Sequence, residues 1–323
     1  MMAGMATVSV CIVTYNSAED IEACLDAVWS QVHPIEQIVI VDNASADGTA
    51  TLIEHYGGDE RIFLVKNAIN NGFAGGQNQA IGHTDSDYVL VLNPDVTLDP
   101  GYVSNLVAFM EENRQVGSAT GRLVLSADLS IMDSAGLGMR RTRQAYDLAA
   151  GEPAHNWSQQ QQVFGVSGAA AFYRMDMIRD LQIDGQFFDE DFFAYKEDVD
   201  VAWRAKQLGW VSYYIPEARA VHHRGWKKGG RSTIPLFVRR HSYQNRFFTL
   251  LKNEQAGWHL LKLIPLLAAV ETAKLCYIIL KEPGLLRCWP VIFRSMPDML
   301  RKRKLIQMKV KQGQMQLKPS NKR

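Results

Sequence analysis

Residues 8–49 read VSVCIVTYNSAEDIEACLDAVWSQVHPIEQIVIVDNASADGT, and this stretch decides the fold. It contains two runs of β-branched residues, 8–14 and 37–41, which predict buried strands. Between them the apolar residues recur at helical spacing, so the segment predicts an amphipathic helix that ends at His33-Pro34. A strand, a helix and a second strand in this order are typical of a parallel sheet with right-handed crossovers.

The same alternation of strands and helices continues to about residue 120, and the pattern weakens beyond it. We therefore predict an α/β fold, an αβα sandwich with a mostly parallel central sheet, followed by C-terminal helices and a basic tail. The predicted organisation has three parts. They are a domain over 1–235 with halves 1–120 and 121–235, a helical extension over 236–299, and a basic tail over 300–323.

Composition narrows the class of protein. The 323 residues are 47% hydrophobic and 21% charged, which is typical of a globular protein and excludes a disordered chain or a collagen-like rod. The four cysteines lie far apart and form no C-x-x-C pair, so a zinc ribbon and a thioredoxin-like motif are excluded. Scattered thiols suit a reducing compartment.

Charge is distributed unevenly along the chain. Residues 281–323 contain 12 basic and 2 acidic side chains, whereas the rest of the chain contains 23 basic and 32 acidic ones. A basic tail favours an anionic membrane surface, and the acidic body offers no second basic face for a nucleic acid. The apolar stretch 260–280 has Glu271 near its middle, where a charge would cost roughly 2.5–3.5 kcal/mol in a bilayer. We therefore predict a helix that lies on the membrane or packs on the body.

Polar residues follow three of the predicted strands. They are Thr14-Tyr15-Asn16, Asp42-Asn43 and Asn93-Pro94-Asp95. Because ligands bind outside the carboxyl ends of strands in such sheets, these clusters indicate a nucleotide-type site. The chain has neither a P-loop nor a G-x-G-x-x-G turn after the first strand, which argues against a simple ATPase or a dinucleotide-dependent dehydrogenase. The chain could still bind a nucleotide in another way, through a divalent metal ion that contacts the diphosphate.

Two further groups carry the chemistry. Asp95 offers a hard carboxylate to Mg²⁺ or Mn²⁺, unless Asn-Pro-Asp only forms a turn. Glu197 and Asp198 are adjacent on a helix and point about 100° apart, which suits a single general base and argues against a glycosidase pair; the alternative is a favourable charge at a helix start. His222 or His223 is a metal ligand, a phosphate donor or a structural histidine.

Taken in order, seven segments resemble the inverting family-2 glycosyltransferases of the GT-A fold. More narrowly, they resemble the bacterial rhamnosyltransferase-like branch, which builds surface polysaccharides. Together they cover roughly residues 7–230, and the complete set in this order is highly specific. The segments are VSVCIVTYNS, IVIVDNASADGT, NNGFAGGQNQAI, YVLVLNPDV, VSGAAAFYR, FDEDFFAYKEDVDVAWRAKQLGW and PEARAVHHRG.

The resemblance implies a role for each site residue. Asp198 is the catalytic base with Glu197 beside it, and Asp95 and His222 hold the metal, with His223 as the alternate. Asn93 stands where the family's D-x-D motif has its first acid, which leaves fewer acidic ligands for the ion. The implied nucleotide-sugar-binding residues are Thr14, Tyr15, Asn16, Asp42 (to a pyrimidine base), Asn71, Gly72, Asn78, Asn93 and Gly168.

The resemblance also implies an activity. It predicts direct displacement with inversion, from a dTDP- or UDP-sugar donor, best dTDP-L-rhamnose, to a lipid-linked or glycan acceptor. The enzyme would be cytoplasmic and peripheral on the inner face of the plasma membrane, held there by the helix and the basic tail. One alternative is a nucleotidyltransferase, which would need a basic loop that TYNSAED (14–20) lacks. The other is an inactive GT-A-like binding or scaffold protein.

Overall fold

A computed structural model gives the structure of residues 5–223, 234–255 and 257–316, without the side chains of His259 and 314–316. The strands and helices are numbered in chain order. The strands are β1 Val8–Thr14, β2 Gln37–Asp42, β3 Ile62–Lys66, β4 Tyr88–Leu92, β5 Val96–Leu98, β6 Val116–Leu125, β7 Asp128–Ser134, β8 Leu137–Met139, β9 Ala145–Asp147, β10 Gln161–Val163, β11 Ala170–Arg174 and β12 Val211–His222. The helices are α1 Ile21–Trp29, α2 Thr49–His55, α3 Gly72–Gly82, α4 Tyr102–Glu112, α5 Met175–Leu181, α6 Glu197–Leu208, α7 Leu236–Asn253, α8 Trp258–Lys281 and α9 Trp289–Gln316.

The central sheet is mostly parallel. Within the described residues its strand order is β10-β12-β6-β11-β4-β1-β2-β3, with β5 and β7 paired at one side. Strands β1, β2, β3 and β4 run parallel, as do β6 and β12, while β11 runs antiparallel between β4 and β6. The carboxyl ends of β1, β2 and β4 therefore meet at one edge, as the sequence predicted.

The sheet is buried on both faces because its central strands are apolar at consecutive positions. Val10 and Ile12 of β1 pack on the side of α1 and α4. Cys11, between them, faces the opposite side, where α3, α5 and α6 contribute to a second core. Parallel strands need helices on both faces, and this sandwich supplies them.

The C-terminal helices pack directly against the domain. Phe192, which precedes α6 in the chain, shares an apolar core with Phe248 of α7, Ile278 of α8 and Met299 of α9. Helix α9 continues through residue 316, so the first part of the predicted basic tail is helical, while residues 317–323 lie outside the described residues. The division of the chain into a domain, an extension and a tail stays a prediction.

Charged side chains in the interior join these helices to α6. Lys252 Nζ on α7 lies 2.7 Å from Asp189 Oδ2 and 2.8 Å from Asp200 Oδ2. Lys302 on α9 contacts the other oxygen of Asp189 at 2.7 Å, and Arg204 pairs with Asp200 within α6 at 2.8 Å. All five side chains are buried. We call them the buried ionic cluster.

Helix α8 presents an apolar surface to solvent. Within the described residues, the segment Leu260–Lys281 is the one helix long and apolar enough to cross a membrane, by length and composition alone. Its body-facing side follows one stripe along the helix, through Leu263, Leu267, Lys274 and Ile278. The large apolar side chains that it leaves exposed are Trp258, Leu261, Ile264, Leu266, Tyr277, Ile279 and Leu280.

Candidate active site

The ends of β1 and β2 are fastened together by Asp42. Thr14 Oγ1 donates to Asp42 Oδ1 at 2.9 Å, and the backbone N–H of Ser45 donates to Asp42 Oδ2 at 3.0 Å. The carboxylate is buried, so it holds the turn in place. Asn16 and Tyr15 follow β1 and are exposed, with the Asn16 N–H donating to Ser45 Oγ at 2.9 Å. The turns after β1 and β2 therefore lie together at the carboxyl-end edge of the sheet.

The turn into α3 requires a glycine. Gly72 has a φ of +75°, and a Cβ at this position would lie 2.4 Å from the carbonyl oxygen of Phe193. That same oxygen accepts the N–H of Ala74 at 3.0 Å. The buried amide of Asn43 donates to the Gly72 carbonyl at 2.9 Å and accepts from Asn67 at 2.8 Å. The sequence indicated Asn43 as part of a polar cluster after a strand, and its anchoring role emerges from the structure.

Substituting Gly72 with Ala should destabilise the fold at this turn. A side chain in the left-handed region costs about 1–3 kcal/mol, and the contact with Phe193 adds to that. We expect Gly72→Ala to lower the free energy of unfolding in urea by at least this amount. Gly82→Ala, in the same helix, is the matched control, because a Cβ there meets nothing within 4 Å; it should leave stability unchanged or raise it by up to about 1 kcal/mol. Equal effects of the two substitutions would contradict the argument.

Asn78 is engaged with the protein itself. Its Nδ2 donates to the carbonyl of Phe188 at 2.7 Å, and its Oδ1 accepts the Phe188 N–H at 3.0 Å. Both ends of the amide are therefore used to fasten α3 to the segment before α6. Asn71 precedes α3 and is partly exposed at the same turn. The roles of Asn71, Gly72 and Asn78 toward a nucleotide stay predictions.

Asp95 and His222 meet at the end of the sheet. Antiparallel pairing of β5 with β12 sets Val96 opposite His222, which brings His222 Nε2 to 3.3 Å from Asp95 Oδ2. On its other side, His222 Nδ1 lies 2.7 Å from Asp133 Oδ2. Burial opposes protonation, but the hydrogen bonds with Asp133 and Asp95 raise the pKa of His222 to about 9. Asp133 was not predicted, since no motif surrounds it.

These groups fit a divalent metal. Adjacent ligands of an octahedral Mg²⁺ ion lie about 3 Å apart, close to the separation of the Asp95 and His222 atoms. A carboxylate that binds the far nitrogen of a metal-ligating histidine is a common orienting partner, and Asp133 occupies that position. His223 is less suitable, because its ring nitrogen lies 3.2 Å from Thr97 Oγ1. Within the described ranges no group of three or more His, Cys, Asp or Glu side chains forms a complete metal site.

The predicted catalytic pair lies at the start of α6, next to Gly168. Asp198 accepts the N–H of Val199 at 2.7 Å and that of Gly168 at 3.3 Å. Glu197 is buried, and among the described residues its Oε2 has no hydrogen-bond partner. The segment that carries Gly168 is joined to the end of β4, since the Asn93 N–H donates to the Ala169 carbonyl at 2.9 Å. This link brings the predicted base and the predicted metal site to one side of the sheet.

Burial raises the pKa values of both acids. Burial, and then the neighbouring Asp198, raise the pKa of Glu197 well above its usual range. Burial, and then Asp147, also raise the pKa of Asp198, while the N–H groups of Val199 and Gly168 oppose that rise. The two N–H donors stabilise the charged form of Asp198, whereas Glu197 Oε2 accepts no hydrogen bond from the described residues.

The loop before α6 is held in a strained conformation by α7. Phe193, Tyr195 and Lys196 have φ values of 59°, 70° and 70°, in the left-handed region. The buried Nδ2 of Asn245 lies 2.7–2.9 Å from three carbonyl oxygens of the loop. These are the carbonyls of Phe192, Ala194 and Tyr195. Asn245 was not predicted as a site residue, because it lies far from every motif, in a helix read as an extension.

The chain is similar to known proteins over most of its length. An L-rhamnosyltransferase of Mycobacterium tuberculosis, N-acetylglucosaminyl-diphospho-decaprenol L-rhamnosyltransferase, is 26% identical over 76% of this chain and 84% of its own length. The structure of Staphylococcus aureus TarS 1–349 with UDP has a TM-score of 0.56 at 15% identity and covers 98% of this chain and 93% of its own. The structure of the Pyrobaculum calidifontis mannosyltransferase PcManGT with GDP-Man and Mn²⁺ has a TM-score of 0.55 at 17% identity. It covers 97% of this chain and 88% of its own.

The fold of the chain is the GT-A fold, as expected from the resemblance of its segments. The sequence pattern of the family described as "Glycosyl transferase family 2" matches residues 9–182, which is more than half of the chain. The chain belongs to glycosyl transferase family 2.

Proposed function

We propose that the chain transfers L-rhamnose from dTDP-L-rhamnose, with inversion, to a hydroxyl of a lipid-linked or polysaccharide acceptor. The observation that carries this proposal is the similarity to the mycobacterial L-rhamnosyltransferase, which extends over most of both chains. A UDP-sugar donor is the second candidate, since the motifs near the nucleotide suit either pyrimidine. The enzyme works in the cytoplasm, where the donor is available.

Asp198 acts as the general base. Its carboxylate takes the proton of the acceptor hydroxyl while that oxygen bonds to the anomeric carbon of the donor. The bond from this carbon to the diphosphate oxygen breaks, and its electron pair leaves with the nucleoside diphosphate. The N–H groups of Val199 and Gly168 keep the carboxylate oriented, and its raised pKa makes it a stronger base. Burial and the neighbouring Asp198 raise the pKa of Glu197, which disfavours a second negative charge beside the base.

Asp95 and His222 would hold a Mg²⁺ or Mn²⁺ ion, which when bound supplies Lewis-acid stabilisation to the leaving diphosphate. Asp133 orients the imidazole so that its Nε2 faces Asp95. Asn93 adds no carboxylate, so binding of the ion depends on the phosphates of the donor as well. The residues Thr14, Tyr15, Asn16 and Asp42 line the rim where the nucleotide would lie.

The C-terminal helices support a peripheral position on the inner face of the plasma membrane. Helix α8 lies with one side on the body and leaves large apolar side chains exposed on the other. Glu271, near its middle, pairs with Arg246 of α7 and with Lys274, which ties this part of the helix to the protein. Basic residues of the 301–311 segment add attraction to anionic lipids, roughly 1 kcal/mol for each one near the surface.

Thermal unfolding with a donor panel tests this function. We expect dTDP-L-rhamnose with Mn²⁺ to raise the melting temperature more than dTDP or UDP-sugars do, since ligand at a hundred times its Kd stabilises by about 2.7 kcal/mol. In Asp95→Asn the part of the shift that depends on Mn²⁺ should disappear, because a carboxylate ligand is lost. Asp99→Asn, an exposed acid on the same connection, is the control and should behave as wild type. A larger shift with UDP-sugars would identify a UDP-sugar as the donor in place of dTDP-L-rhamnose. An unchanged Mn²⁺ effect in Asp95→Asn would refute the metal site.

A further inference from the structure

A cavity of about 570 Å³ lies between α7, α8 and the start of β9. Four basic side chains line it, and no acidic side chain does so among the described residues. The remaining lining is mostly apolar or aromatic, including Val238, Tyr243, Tyr277 and Ile278. The basic side chains are Lys196, Arg239, Arg246 and Lys274.

The charge of this cavity is only partly compensated. Glu271 pairs with Arg246 at 2.5 Å and with Lys274 at 3.2 Å, and Glu282 pairs with Arg239 at 3.0 Å. Two carboxylates therefore serve three of the four basic groups. Among the described residues none accepts a hydrogen bond from the fourth, Lys196, or forms an ion pair with it. Asp198, which does not line the cavity, is the carboxylate whose charge acts most on Lys196, so among the described residues the lining itself holds four basic groups and no acid.

The cavity lies beside the predicted base. Lys196 lines it and precedes Asp198 by two residues, at the start of α6. Ala145 lines it from the other side, on the same short strand as Asp147, whose charge acts on Asp198. An anion bound here would place a directly attached sugar close to Asp198. Asp95 and His222 do not line this cavity, so an anion bound here would lie outside the predicted metal site.

We propose that this cavity binds the diphosphate of a lipid-linked acceptor, a proposal that rests on the proposed function. A diphosphate that joins a sugar to a lipid carries about two negative charges, which the four basic groups of the lining attract. Its lipid chain leaves along α8, where Tyr277 and Ile278 line the cavity and Ile279 and Leu280 are exposed beyond them. Lys196 is the specific cation for the phosphates.

Binding of farnesyl diphosphate to the full chain, measured by calorimetry, tests the proposal. We expect farnesyl diphosphate to bind more tightly than either inorganic pyrophosphate or farnesol, because the site recognises both charge and chain. Lys196→Met should weaken that binding about tenfold to a hundredfold, the loss expected for one charge-assisted hydrogen bond. Its binding of dTDP with Mn²⁺ should remain unchanged.

Lys206→Met is the matched control, since Lys206 is an exposed lysine on α6 that lies over the ring of Phe164. It should bind farnesyl diphosphate as wild type does. Equal binding by wild type and Lys196→Met would overturn the proposal, as would competition between farnesyl diphosphate and dTDP. Pyrophosphate that binds as tightly as farnesyl diphosphate would identify a free-phosphate site and overturn the lipid assignment. Donor turnover that persists without farnesyl diphosphate binding would refute only this cavity, and leave the proposed function intact.

Discussion

Asp198→Asn will lower kcat for sugar transfer by about 10²–10⁴-fold, the usual contribution of a general base. The amide keeps the shape of the side chain and can still meet the N–H groups of Val199 and Gly168 through its oxygen. It cannot take the proton of the acceptor hydroxyl. Release of nucleoside diphosphate in the presence of acceptor measures the loss, and binding of the donor should be unaffected.

Glu197→Gln is the informative comparison for Asp198→Asn. Burial and the neighbouring Asp198 raise the pKa of Glu197 and favour its neutral form, which glutamine resembles in charge and shape, so we expect less than a tenfold loss of kcat. Wild-type turnover by Asp198→Asn would show that the base is misassigned, and a greater loss in Glu197→Gln would reverse the two roles. A wild-type protein that binds donors but turns over none of them would instead support the inactive GT-A-like alternative.

Lys252→Met will destabilise the folded protein by about 3–5 kcal/mol, as expected when one partner of a buried ion pair is removed. Lys252 is 1% exposed and is shared by Asp189 and Asp200, so its loss leaves buried carboxylates short of positive charge. Urea unfolding at neutral pH measures the change. Lys66→Met is the control, because the Lys66–Glu54 pair is about half exposed and is expected to contribute 0–1 kcal/mol.

The buried ionic cluster also sets a dependence of stability on pH. Burial opposes the effect, but Lys252 and Lys302 hold the pKa of Asp189 well below its usual range. A carboxyl whose pKa is lowered by folding stabilises the native state above its unfolded pKa of about 3.9, and this stabilisation is lost as the pH falls further. Wild type should therefore lose stability below about pH 4, and Lys252→Met should lose less. Equal stability of the two proteins at pH 7 would contradict the role given to the cluster.

The parts of the site that follow strands could be predicted from the sequence. Asp42 and Asp95 come directly after apolar runs, and parallel strands bring such positions to one edge whatever the rest of the chain does. The fold class and the family were predicted for the same reason, since both depend on segments in which local pattern and tertiary position agree. The contact between Asp95 and His222 needed only the pairing of β5 with β12.

Other parts could not be predicted, because they depend on pairing between distant segments. Asp133 and Asn245 are single polar residues without a periodic or motif context, and only the folded chain brings them to His222 and to the loop before α6. In the sequence, the cations of α7 fall in the predicted helical extension, and those of α9 beyond residue 299 fall in the predicted basic tail. Two of them, Lys252 and Lys302, are buried against Asp189. Sequence pattern reports which side chains are charged, but not which of them meet.

The buried ionic cluster has a consequence for how the enzyme is made. Asp189 and Asp200 leave the ribosome well before Lys252, and Lys302 follows fifty residues later still. Until α7 and α9 have been synthesised, burying the start of α6 would leave these carboxylates without their cations. The emerging chain can build its sheet early, but we expect α6 to settle only when synthesis is nearly complete. A prematurely terminated chain would therefore lack an ordered α6, and the cell would not receive a truncated but active transferase.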